Sequence, residues 1–168
     1  LHVRDIGGSN TLMGITMTFA ILGEIIGFNI AKRLQGRVGS RQMIVIAIAI
    51  RTLWFLLIAL NKVPLLVLPI QILGGGSFSL IEAGSVAYVN ERTPRRIGTT
   101  AQGIRSAIFL RLSSVIGSLV AGALYQNSGS GVMYGVMAAF SSITLILAFF
   151  LRRTERRREA LKSSPRPS

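Results

Sequence analysis

The chain has 168 residues, half of them hydrophobic and only 15% charged, with 18 glycines. That balance leaves too little polar surface for a soluble domain of this size and fits a helical membrane protein. A complete lack of cysteine excludes disulfides and thiolate chemistry, and the formal net charge of +13 has to be placed before it is interpreted.

Crossing a hydrocarbon layer of roughly 30 Å takes about 20 apolar residues at about 1.5 Å each, and five runs meet that length. Leu1 to Asn10 is a polar opening with a Gly7-Gly8 turn signal and no visible signal peptide; since it starts without Met, we expect a piece of a longer chain. The spans are expected at about 11–31, 42–60, 64–89, 100–125 and 132–151, so that 1–151 is one all-α transmembrane bundle and 152–168 a basic tail. Pro64 suits the first turn of the third span. Pro69 and Gly74, Gly75 and Gly76 inside that span invite a kink or local unwinding, which makes the three glycines hinge candidates, with a packing contact as the other reading.

The basic residues fall on one side of this scheme. The 32–41 loop, the 92–96 loop and the tail hold 14 of the 19 Lys and Arg residues, whereas the alternate segments hold only Arg4 and Lys62. The positive-inside bias therefore puts the first group and the C-terminus in the cytoplasm of a cell-membrane protein. The positive charge then needs no nucleic-acid partner. The tail, Arg152 to Lys162, is expected to prolong the last helix and lie against anionic headgroups, and Ser163 to Ser168 to be disordered.

Five charged residues remain inside spans: Glu24, Arg51, Glu82, Arg105 and Arg111. Each would cost roughly 3 kcal/mol against lipid, so they are expected to face one another or a water-filled cavity. Counted from the cytoplasmic ends, their depths run from about 8 Å for Arg105 to about 17 Å for Arg111. Glu24 and Arg51, on consecutive helices at similar depth, are expected to face the interior within reach of each other, either as a structural pair or as coupling groups. Arg105 either joins the cavity or snorkels to the inner headgroups. Glu82 is expected to have Arg111 as its counter-charge.

Gly23 and Gly27, and the stripes Ser113, Gly117, Ala121 and Ser114, Ser118, Gly122, permit close helix approach. The single histidine, His2, sits in the external segment, and no metal-binding, nucleotide-binding or nucleophile-elbow motif is present. No cofactor, no metal and no enzymatic chemistry are expected.

The stretch from Glu82 to Arg105 joins two apolar runs through an acidic residue, a proline and a basic pair, then GTTAQG from Gly98 to Gly103. It resembles the link between helices ten and eleven of major facilitator superfamily transporters. Gly8 to Gly14 (GSNTLMG) before the helix with Glu24, Arg51 to Trp54 (RTLW), Gln71 to Phe78 (QILGGGSF), and Gly117 to Tyr125 (GSLVAGALY) extend the likeness over nearly the whole chain. The closest branch is that of sugar and nucleoside proton symporters and associated-domain proteins. The resemblance implies helices eight to twelve of a C-terminal half, alternating access around a midplane site shared with an N-terminal half of the same protein, and a small organic solute moved with protons. Glu24 and Arg51 match that pattern as polar-core residues; the other reading is a membrane receptor or scaffold that keeps the fold without transporting. Two departures are visible: Gly36 stands where the superfamily's loop motif carries Asp, and Gly75 where the close branch often carries His.

Overall fold

The computed structural model describes residues 2–162, with side chains for all of these except 95, 110 and 151–162. Every regular element among them is helical: α1 His2–Asp5, α2 Asn10–Gln35, α3 Ser40–Leu60, α4 Val67–Arg92, α5 Gly98–Ser106 and α6 Ser113–Lys162. Short 3-10 turns at Pro64–Leu66 and Arg95–Ile97 lead into α4 and α5, and a π-helical segment, Ala107–Leu112, joins α5 to α6. Four helical stretches are long and apolar enough to cross a membrane: Asn10–Gln35, Ser40–Leu60, Pro64–Arg92 and Gly98–Phe150. The last holds both the fourth and fifth expected spans, and Gly129 breaks it with φ 76° and ψ 174°. That positive φ is open to glycine at little cost, and it separates two arms with different neighbours. The helix backbone continues to Lys162. The expected disorder of Ser163 to Ser168 falls outside the described residues.

Local chemistry sets the ends. The Ser9 hydroxyl accepts from the Leu12 amide at 3.1 Å and caps α2. After α3, Asn61 holds Val63 from both sides, its amide nitrogen donating to the Val63 carbonyl and its oxygen accepting the Val63 N–H, so the chain turns directly into Pro64. At the opposite end Ser40 donates to Glu91 at 2.6 Å, which ties the basic loop before α3 to the basic loop after α4.

α4 is the centre of the bundle, packing against α2 on one side and α3 on the other, while α2 and α3 hardly touch. Its glycines make this possible. A Cβ on Gly75 would run into Ala20 and lie 2.9 Å from the Glu24 amide nitrogen, and one on Gly74 would lie 2.6 Å from the Trp54 indole nitrogen. From the other side Gly23 meets Ile72, and Gly27 meets Ser79 and Gly76. α4 is α-helical throughout, with no local unwinding at Gly74, Gly75 and Gly76, and Gly74 and Gly75 are taken up by close approach of backbone and indole. Pro69 lies in the first turn, where its missing N–H disturbs nothing.

The buried set is small and partly polar, with Ala47, Ser77 and Ser79 fully covered, while Ile21, Leu119 and Phe140 are more than half exposed. That inversion of the soluble pattern places long apolar side chains toward lipid and small ones between helices. The second arm of α6 packs on α3, with Thr52 and Ser141 hydrogen-bonded at 2.7 Å. α5, which leads into the first arm, meets α4 through Arg105, while the first arm itself meets α1 through Tyr125, which donates to Asp5 at 2.8 Å. Its small-residue stripes therefore do not form the expected close contact: Gly117 and Gly122 have nothing within 4 Å of a built Cβ.

Candidate functional site

Midway along α3, Arg51 turns inward across α4. Its Nη1 donates to the Gly74 carbonyl at 3.3 Å, and its guanidinium carbon lies 5.1 Å from the Trp54 ring centroid and 5.7 Å from that of Phe55. Gly74 allows this because it has no side chain to keep the indole away, and its carbonyl also accepts from the Ser77 hydroxyl at 2.8 Å. Trp54 is in turn fixed by Gln71, whose Oε1 accepts the indole N–H at 3.0 Å. Aromatic faces and a backbone oxygen thus hold a half-buried cation without neutralising it.

Arg51, Trp54, Gln71 and Gly74 line a pocket of about 250 Å³ together with Ala20 and Glu24 of α2 and Gly75 and Phe78 of α4. Glu24 and Arg51 reach the same cavity, as expected, but they form no ion pair, and neither has a charged partner among the described residues. The reason is that α4 lies between their helices: the shortest polar reach from Arg51 is the α4 backbone. Glu24 is left half-buried, its carboxylate unpaired among the described residues.

Toward the other end of the bundle a second polar cluster is closed on itself. Arg105 donates to both carboxylate oxygens of Glu82, at 2.8 and 3.2 Å, and to the Ser85 hydroxyl at 2.9 Å. Its Nε donates to Gln102 at 2.9 Å, and Gln102 bonds the Val86 carbonyl and Asn90. The pair side chains are 13% and 19% exposed, so Arg105 neither snorkels nor joins the pocket. The expected counter-charge Arg111 is not at Glu82; it is exposed on the π-helical segment with no charged partner among the described residues.

A smaller cavity of about 180 Å³ lies toward α1, lined by His2, Val3, Met13, Thr16, Met17, Ile58, Val67, Gln71 and Tyr134. Gln71 stands in the wall of both cavities. His2 Nδ1 lies 3.0 Å from the Ser130 hydroxyl, its ring meets Tyr134 edge-on at 5.5 Å, and its buried Nε2 has no hydrogen-bond partner among the described residues. Burial pushes the His2 pKa below its usual value, against smaller raising effects of the Asn61 backbone and Asp5. Hydrogen bonds from Ser130 and Tyr125 hold the Asp5 carboxyl below the usual range.

Sequence reasoning did not single out Gln71, Gln102, Ser85 or the π-helical segment. Gln71 and Gln102 occur within the runs compared above, but nothing in one dimension shows that one bridges two cavities and the other two helices.

The MFS_1 like family model matches residues 1–136. The probable 3-phenylpropionic acid transporter of Escherichia coli (strain K12) is 30% identical over 153 residues, covering 90% of this chain and 38% of that protein. The maltose permease of Geobacillus stearothermophilus is 25% identical over 156 residues, covering 93% of this chain and 40% of the permease. The chain thus spans about two fifths of the length of these relatives. No solved structure matches it. A family match over most of the chain, joined to an all-helical bundle with glycine-packed spans and an apolar exterior, shows an integral membrane protein that belongs to the MFS_1-like family of the major facilitator superfamily.

Proposed function

We propose that this chain is the C-terminal part of a secondary transporter that moves a small organic solute by alternating access, coupled to protons. The observation that carries the reading is the pocket lined by both half-buried Arg51 and half-buried Glu24, which form no ion pair. Charges that only stabilise a fold are normally paired, as Glu82 and Arg105 are, because an uncompensated charge away from water is costly. The positive-inside bias supports a cytoplasmic side for the 32–41 and 92–96 loops and the C-terminus, in keeping with five crossings turned at the Gly129 break and with the Ser40 to Glu91 hydrogen bond that joins the two loops. Its partners are the N-terminal half of the same protein, which completes the pathway, and anionic lipid along the basic tail. The two relatives are named for an organic acid and a sugar, which keeps the solute small and organic.

In this mechanism Glu24 carries the proton and Arg51 binds solute. An ionised Glu24 across the pocket weakens the positive potential of Arg51 without pairing with it; protonating Glu24 restores that potential for a ligand. Solute and proton then each favour the other's binding.

Uptake into proteoliposomes containing the full-length protein, driven by an inward proton gradient, tests the reading. Accumulation that a protonophore collapses, and that Glu24→Gln converts to equilibration without accumulation, is the expected result. Ligand binding with no flux under any gradient would favour the receptor or scaffold reading.

A further inference from the structure

We infer that the uncovered face of α6 around Arg111 is the seat of the helix that leads into α1, and that this helix brings a carboxylate to Arg111 inside the membrane; this rests on the reading of the chain as the C-terminal part of a longer protein. Of the charged residues inside spans, Glu82 and Arg105 close on each other, and Glu24 and Arg51 share a pocket. Arg111 is left over, exposed and with no charged partner among the described residues. It stands about 17 Å from the end of its span near Thr100 and about 21 Å from Tyr125, too deep for its guanidinium to regain water by snorkelling. A positive charge at that depth requires a negative group or a water-filled cavity beside it.

The first arm of α6 has two unlike faces. Ser118, Ser114 and Arg111 stand 7, 11 and 14 residues before Tyr125, spacings that return to one side of a helix. Leu112, Ile116 and Leu119 lie on the other side and are more than half exposed, as side chains against lipid would be. The serines and Arg111 are exposed too, yet a face of small polar side chains and an arginine is the side that packs on protein.

The occupant follows from α1. Tyr125 donates to Asp5 at 2.8 Å, so α1 already sits at one end of this face. From Asp5 back to His2 the contacts move from Tyr125 to Ser130 and Tyr134, away from the Gly129 break and along the second arm. Read backwards, the chain therefore enters the bundle beside the first arm. Four residues cannot sustain a helix by themselves, whereas α1 as the last turn of a longer one needs no nucleation of its own. The matched relatives leave room for it, since the chain spans about two fifths of their length. Continued at about 1.5 Å per residue alongside α6, that helix brings the residue about 14 positions before Asp5 level with Arg111, and the same spacing keeps it on the Asp5 face. A carboxylate there balances the charge that the described residues leave open.

Disulfide cross-linking in the full-length protein, cysteine-free apart from the chosen pair and held in lipid nanodiscs, tests the seat. A cysteine about seven residues before Asp5 is expected to cross-link with Ser118→Cys, within one molecule, at least about tenfold faster than with Ile116→Cys on the opposite face. Arg111→Glu is expected to reduce the folded yield several-fold, and exchange of the upstream carboxylate for arginine in the same molecule to restore it. Faster cross-linking at Ile116→Cys, cross-links at Ser118→Cys between two copies only, or no carboxylate within one turn of the stated position would each overturn the inference. So would a charge exchange that fails to restore a lost yield, or an Arg111→Glu yield equal to that of the natural protein, the mark of an arginine in an open aqueous cavity. Failure of the cross-link in a protein that transports solute removes this inference alone. An intact mass that places the start of the natural protein at residue 1 removes the reading beneath it as well, and the expected cross-link in a protein with no flux upholds the seat while sinking the transporter reading.

Discussion

Arg105 reaches 23 residues back along the chain to grip both carboxylate oxygens of Glu82, at 2.8 and 3.2 Å, and this bidentate pair is the bolt between α4 and α5. Both side chains are largely buried, and the other side-chain partners of Arg105 among the described residues, Ser85 and Gln102, are neutral. Glu82→Gln or Arg105→Gln alone is expected to destabilise the bundle by roughly 3 to 5 kcal/mol, since each strands a charge, and the double substitution by clearly less. Thermal unfolding in detergent for the four members of the double-mutant cycle measures this; additive losses would contradict it.

Glu24 and Arg51 are expected to behave oppositely. Because they do not touch, the coupling between Glu24→Gln and Arg51→Gln in stability is expected to stay below about 1 kcal/mol, against the several kcal/mol of a broken buried pair. Folded yield is expected to survive Glu24→Gln while accumulation of solute is lost. A double mutant that regains the yield lost in either single mutant would show a direct pair after all.

Glycine substitutions separate packing from passive exposure. Gly75→Leu is expected to force α2 away from α4, because even a Cβ there collides with the Ala20 backbone, and overpacking of this kind costs about 1 to 3 kcal/mol or more. Gly117→Ala, with open space around it, is expected to be neutral or to stabilise the helix by about 0.5 to 1 kcal/mol. Monodispersity on size-exclusion chromatography and melting temperature distinguish the two; equal effects at both sites would argue against the tight α2 to α4 contact.

His2 gives the α1 end of the bundle a pH dependence. Its pKa in the folded protein is depressed by burial below the unfolded value of about 6.5, so between those two values the unfolded chain holds more protons. Stability is therefore complete above about pH 6.5 and falls as pH drops through the folded pKa. The groups facing the ring are Ser130 and Tyr134 of α6, the Asn61 backbone, and Asp5 of its own helix. Hydrogen exchange at the imidazole carbon, followed by mass spectrometry against pH, is expected to give a midpoint below 6.5, and His2→Phe to flatten the loss of thermal stability between pH 6.5 and 5. A midpoint at or above 6.5 would contradict the buried, neutral ring.

What the sequence determined by itself was whatever depends on length and hydropathy. Runs of about 20 apolar residues have to be helical where no water can satisfy their backbone, so the helices and the short basic loops between them were legible, and so was the grouping of positive charge. The polar residues of the pocket were partly legible: depth along a helix placed Glu24 and Arg51 near each other and in the interior. Direction around the helix axis was not. Arg105 and Arg111 are equally basic and both lie within one expected span, yet one meets Glu82 and the other faces outward. Rotation of about 100° per residue separates their faces, and the π-helical segment at Ala107–Leu112 changes that phase in a way no hydropathy pattern records. The same holds for Glu24 and Arg51. Adjacent in sequence order, their helices are held apart by α4, and only the close approach allowed by Gly74 and Gly75 decided that Arg51 would meet a backbone carbonyl and an indole rather than a carboxylate.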